Sequence, residues 1–265
     1  MKQSVKRIKV ILTALMYVLI YYINSTIVYA AYSMYKLSEG HLTYGEIEKS
    51  VNDGSFALSV IASIVSLWMF MLIGKLRKKP LYESIYTNKV PHIIYVMAVC
   101  LALGCRLLVS VYYSFAQSVD ILSDSIEQAA MVSPEIVSGI QVLIALFCVM
   151  VVAPLFEELL FRGLVMTELM RTMRPWAAIF LQAIIFGVAH GVLFQSIFAI
   201  VAGVFLGILY YKTKSISVSV VCHSVFNFSA VLMQESMTVT GGIIYIAAGV
   251  LLIALSMIYI YSNSK

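Results

Sequence analysis

Seven side chains able to do acid–base or hydrogen-bond chemistry interrupt otherwise apolar stretches of this chain: Arg106, Glu157, Glu158, Arg162, His190, His223 and Asn227. An ionisable group near the middle of a membrane helix costs at least about 2.5–3.5 kcal/mol, so each is a functional candidate by default. All but Arg106 fall in three short runs. In Glu157-Glu158-Leu159-Leu160-Phe161-Arg162, Glu158 and Arg162 stand at i and i+4, where a carboxylate and a guanidinium on one helix meet. Glu157 is turned about 100° away, so it is the carboxylate left free to act. In Phe186-Gly187-Val188-Ala189-His190 a ring and an imidazole share a helix face, and in His223-Ser224-Val225-Phe226-Asn227 an imidazole and an amide do the same.

A glutamate and a histidine that jointly hold a water can deprotonate it for attack on a carbonyl. A second histidine and an amide can donate hydrogen bonds to the oxyanion that results. These are the parts of peptide hydrolysis without a serine or cysteine nucleophile. Ser224 and Cys222 are each displaced about 100° from the face of His223, which weakens a covalent route. Two histidines and a glutamate also match a catalytic zinc set. The His-Glu-x-x-His spacing is absent and the ligands would come from three helices, so zinc is compatible with the set but not required.

The elements that must position these groups follow from composition. Of 265 residues, 62% are hydrophobic and 12% charged, against about 25% charged in a soluble domain. That excludes a water-soluble fold and disorder. The four cysteines lie inside apolar runs without Cys-x-x-Cys spacing and are expected to be packing residues. Apolar runs at about 10–32, 56–74, 91–115, 136–153, 175–194, 196–211, 216–233 and 242–261 predict an all-α polytopic membrane protein of about eight transmembrane helices. A further apolar stretch, 155–170, follows the fourth run. If it prolongs that helix to Arg171, Glu157 lies about 20 Å from the end, and His190 lies at a similar depth from Pro175. The plainer alternative, that both acids are solvated at a helix end, sits poorly with the apolar residues that continue beyond them. Gly187 with Gly191, and Gly203 with Gly207, are small-x-x-x-small faces suited to close helix packing.

With the N-terminus inside, fourteen of the eighteen lysines and arginines fall in inner segments. Lys36 and Lys49 fall outside. Glu39, Glu46, Glu48, Asp53, Asp120, Asp124, Glu127, Glu135 and Glu235 also take the outer side. Both termini are therefore expected in the cytoplasm, and the positive net charge reports topology rather than nucleic-acid binding. The basic start, apolar run and Val28-x-Ala30 of the first segment could suit a signal peptidase. The length of the run favours an uncleaved span. No linker or repeat divides residues 1–265, which read as a single transmembrane domain.

At these three runs the sequence resembles the CPBP family of intramembrane proteases (CAAX protease and bacteriocin-processing, also called Abi), whose motifs are Glu-Glu-x-x-x-Arg, Phe-x-x-x-His and His-x-x-x-Asn, the last with Asn or an apolar residue at its final place. The resemblance covers about residues 136–233, the expected catalytic core. It implies a type II CAAX prenyl endopeptidase-like helical bundle. It further implies that Glu157 and His190 activate the water, that His223 and Asn227 form the oxyanion site, and that Glu158, Arg162 and Phe186 support them. It leaves metal dependence open. It also implies a membrane-associated peptide or protein substrate within the lipid bilayer, and the Lys-, Ile- and Tyr-rich style of the chain points to a bacterial plasma membrane. A non-proteolytic scaffold or bacteriocin self-immunity protein of the same fold is the alternative, which loss of the acids or histidines would signal; none is lost. A proton-coupled transporter would repeat such groups in two related halves, and the N-terminal half has no counterpart. Arg106 is expected to snorkel outward or to pair with an acid, with no catalytic role.

Overall fold

The computed structural model describes residues 2–40, 42–79, 85–131, 140–232 and 238–263. Residues 136–139 and 233 of the expected spans, together with Glu135, Glu235 and Lys265, lie outside them. The described residues form helices α1 (Lys2–Ser38), α2 (Tyr44–Asp53), α3 (Ser55–Leu76), α4 (His92–Ala116), α5 (Asp120–Met131), α6 (residues 140–169), α7 (Pro175–Val188), α8 (Leu193–Thr213), α9 (Ile216–Leu232) and α10 (Val239–Asn263). The protein is thus an all-helical membrane bundle. Six helices, α1, α3, α4, α6, α8 and α10, are long and apolar enough to cross a bilayer, and α7 and α9 are shorter apolar helices. The eight expected runs map onto these eight helices.

Local chemistry sets several boundaries. The Thr43 hydroxyl and the Glu46 carboxylate cap the start of α2 reciprocally. Pro175 opens α7 with Arg174 extended before it, as a residue preceding proline must be. The helix expected over 175–194 stops instead at Val188. Gly191 adopts φ +72°, a left-handed conformation that glycine tolerates, and α8 starts two residues later. His190 therefore sits in the turn that closes α7, and Gly191 meets no neighbour there, so it is a turn residue and not half of a packing face. A hydropathy run cannot register this break, because the turn is as apolar as its flanks.

The stretch 155–170 prolongs the fourth run without interruption. Within α6, residues Cys148–Val152 and Leu159–Met166 wind as π-helix, with Ala153–Glu158 α-helical between them. The first helix runs unbroken through Val28-x-Ala30, and its Ala14, Tyr17 and Val18 are buried among Phe70, Phe156 and Leu160. The Asn24 amide fixes α1 to α3 through Ser66, at 3.0 Å.

Helices α7 and α8 approach closely. A Cβ on Gly187 would fall 2.7 Å from the Ser196 carbonyl oxygen, so the position has room only for hydrogen. Arg77 and Arg171 both donate to Glu168 Oε1, at 2.9 and 2.7 Å, and Arg77 also donates to the Tyr17 hydroxyl. Burial depresses the Arg77 guanidinium, but the bond and charge of Glu168 outweigh it and leave the pKa raised. Lys214, left-handed at the end of α8, lies over the Tyr86 and Tyr211 rings, and burial lowers its ammonium pKa.

Candidate active site

The three motifs arrive on α6, on the turn after α7, and on α9. They share a cavity of about 410 Å³ whose lining includes Glu157, His190, His223 and Asn227 among apolar residues such as Leu101, Ala202 and Phe226. Convergence is the physical expectation, since polar groups in hydrocarbon are stabilised by sharing one polar space.

The innermost layer is an ion pair. Glu158 and Arg162 are both fully buried and meet at 2.7 Å, as the i, i+4 spacing requires. The guanidinium carbon lies 4.5 Å from the centre of the Phe186 ring, a cation–π contact. The same ring stands edge-on to His190 at 4.8 Å and to His223 at 6.0 Å. Phe186 thus holds the arginine and both imidazoles in one arrangement, a role wider than the shared face in the sequence suggests.

His223 lies between the two acids. Its Nδ1 is 2.9 Å from Glu158 Oε1 and its Nε2 is 3.7 Å from Glu157 Oε2. A carboxylate can only accept, so Nδ1 carries a proton and Nε2 is the nitrogen presented toward Glu157. Glu157 keeps 30% of its side-chain surface exposed while Glu158 keeps none, so only Glu157 presents its carboxylate to the cavity. The Nδ1 of His190 is 2.8 Å from the Phe186 carbonyl, which likewise fixes Nδ1–H and leaves Nε2 for the cavity. The Tyr22 hydroxyl of α1 donates to the Ala189 carbonyl in the same turn.

Asn227 lines the cavity, and its Nδ2 donates to the Val149 carbonyl at 2.9 Å. In the π-helical turn the Ala153 N–H goes to Cys148, and residue 154 is a proline with no N–H. Val149 therefore lacks its i+4 and i+5 backbone donors, and the amide of Asn227 replaces them. One amide hydrogen remains for the cavity.

Two more residues join this site: Gln182, not singled out in the sequence, and Arg106, expected there to snorkel outward or to pair with an acid. Gln182 is fully buried one turn before Phe186 and donates to the Gly203 carbonyl at 2.8 Å, the oxygen that Arg162 also approaches at 3.5 Å. The spacing Gln182, Phe186, His190 repeats every four residues and was the available signal. Arg106 of α4 is only 4% exposed and lines the cavity, so it does not snorkel to the surface. Among the described residues no three His, Cys, Asp or Glu side chains gather closely enough to hold a metal ion.

Polar side chains from α4, α6, the turn after α7 and α9 thus meet around one cavity inside a helical membrane bundle. Residues 139–229 match the family model described as type II CAAX prenyl endopeptidase Rce1-like, a segment that contains all three motifs. No curated protein and no solved structure matches the chain.

Proposed function

We propose that the protein is an intramembrane endopeptidase that hydrolyses peptide bonds of membrane-associated proteins or peptides without a metal ion. The observation that carries this reading is the placement of His223 between a buried, arginine-paired carboxylate and a second carboxylate facing the cavity. Glu157 takes a proton from a water that also hydrogen-bonds to Nε2 of His190. The hydroxide adds to the scissile carbonyl carbon, and the carbonyl π electrons move to oxygen. The remaining amide hydrogen of Asn227 donates to that oxyanion, and His223 donates to it from Nε2 when a proton is carried there. Collapse breaks the C–N bond, and the proton held by Glu157 leaves with the amine. Glu158 and Arg162 hold His223 in place and neutralise one another.

The catalytic core is residues 136–233 of one membrane domain. The bias of lysine and arginine toward one side of the sequence pattern supports cytoplasmic termini. The test compares new protein termini in membranes of cells carrying wild-type protein or an equally expressed Glu157→Ala variant. Termini present only with wild type support proteolysis. Identical profiles, with the native substrate present, would favour the scaffold or self-immunity reading.

A further inference from the structure

Helix α6 separates two spaces. Opposite the cavity described above, a second one of about 220 Å³ lies between α1, α3 and α6, lined by Tyr21, Phe56, Ser59, Val60, Ser63 and Phe156, among others. Glu157 and Val149 line both cavities, and Glu157 is the one acidic residue in either lining. The serine hydroxyls of the second cavity are engaged: Ser63 donates to the Ser59 carbonyl at 2.8 Å, and the Ser59 and Tyr29 hydroxyls meet at 3.1 Å. What remains facing the space is mainly ring and aliphatic surface. A dry apolar cavity of about 150 Å³ holds a benzene ring, so this one has room for a single large side chain and not for a folded segment.

We propose that this chamber is a specificity pocket for one large apolar side chain of the substrate, next to the peptide bond attacked at Glu157. The proposal rests on the peptidase reading above. An occupant entering here brings its backbone to the Glu157 carboxylate, where an amide has a carbonyl to be attacked and a lipid tail has nothing to offer. The chamber walls on α1 and α3 lie outside residues 139–229. The N-terminal helices would thus select the substrate, while the matched segment carries the chemistry.

The test uses full-length protein reconstituted in phosphatidylethanolamine/phosphatidylglycerol vesicles, with a peptide library made from membrane proteins, and reads new termini by mass spectrometry. Glu157→Ala is the blank. Val60→Phe narrows the chamber and Phe56→Ala widens it, and thermal unfolding reports whether each variant is folded. At one fixed position beside the cut, Val60→Phe should shift selection from large to small apolar residues by about tenfold or more, and Phe56→Ala should shift it the opposite way. A folded variant of either kind that keeps the wild-type preference at every position, or loses rate on all peptides equally, overturns the pocket. Absence of any wild-type termini above the blank overturns the peptidase reading, and the pocket with it.

Discussion

Arg162→Met strips the buried Glu158 carboxylate of its arginine partner. Both partners are fully buried and joined by one 2.7 Å bond, so no solvent screens the loss. Breaking a buried ion pair from one side typically costs about 3–5 kcal/mol, whereas replacing both partners by well-packed neutral groups is often neutral or stabilising. Two features of the pair decide which limit applies. Glu158 Oε2 and Arg162 Nε make no hydrogen bond among the described residues, so the pair is not fully satisfied and its net contribution is small. Methionine keeps a flexible chain against Phe186, where the guanidinium now stacks, so little packing is lost. The single variant should therefore lose about 3–5 kcal/mol. At about 2–4 °C per kcal/mol for a chain of this size, that is roughly 6–20 °C in Tm. The double variant Glu158→Gln/Arg162→Met should recover most of it, since glutamine keeps an acceptor for His223 Nδ1. Thermal unfolding of the purified proteins in mild detergent measures both. A single variant as stable as wild type, or a double variant no better than the single, would refute the claim that charge compensation holds this layer together.

Glu157→Ala, His190→Ala and His223→Ala should each abolish cleavage while leaving expression intact, read as loss of product termini at matched protein levels. Asn227→Ala should lower kcat by about 10²–10³ if its amide serves the oxyanion, and should also cost about 1–3 kcal/mol because it strands the Val149 carbonyl; the rate and Tm are measured on the same preparation. Gly187→Ala should destabilise by about 1–3 kcal/mol, because its Cβ meets the Ser196 carbonyl oxygen at 2.7 Å, and backbone cannot swing aside. Glu168→Ala provides the contrast with Arg162: its arginine partners keep 30% and 38% of their side-chain surface exposed, so each pair contributes only about 0–1 kcal/mol and Tm should barely move.

The pairing of charged groups along one helix was more legible in the sequence than the turns and the contacts between helices. An i, i+4 acid–base pair inside an apolar run has few ways to be neutralised, so the Glu158–Arg162 contact and the separate orientation of Glu157 followed from helix periodicity. The extension of α6 through 155–170 followed from hydropathy. The end of α7 did not, because the break at Gly191 depends on one backbone dihedral inside an apolar run. The depth of Arg106 was also hidden. Its stem could run to either face of the bilayer, and only the packing of α4 against the cavity turns it inward. Nor could spacing on single helices show that Phe186 touches Arg162 from another helix while meeting both histidines.

The role of Asn227 shows why reading motifs one at a time falls short. Its residue type predicts an amide donor, and the natural assignment is to the oxyanion. The structure gives that donor a prior engagement with Val149, created by Pro154 and by the π-helical turn beside it. A second π-helical stretch follows on the other side of the glutamates, and there the Thr167 hydroxyl donates to the Arg162 carbonyl at 3.1 Å. π-Helical insertions strand backbone groups and are frequent at functional sites because they re-aim side chains. The Glu157–Glu158 pair sits on the short α-helical stretch between two such insertions, each tied by a side-chain hydrogen bond. The last residue of the third motif therefore helps to hold the helix that carries the first. On this argument the motifs are coupled through the backbone of α6 as well as through the cavity. Loss of Asn227 should then disturb the aim of Glu157 in addition to removing a donor from the oxyanion.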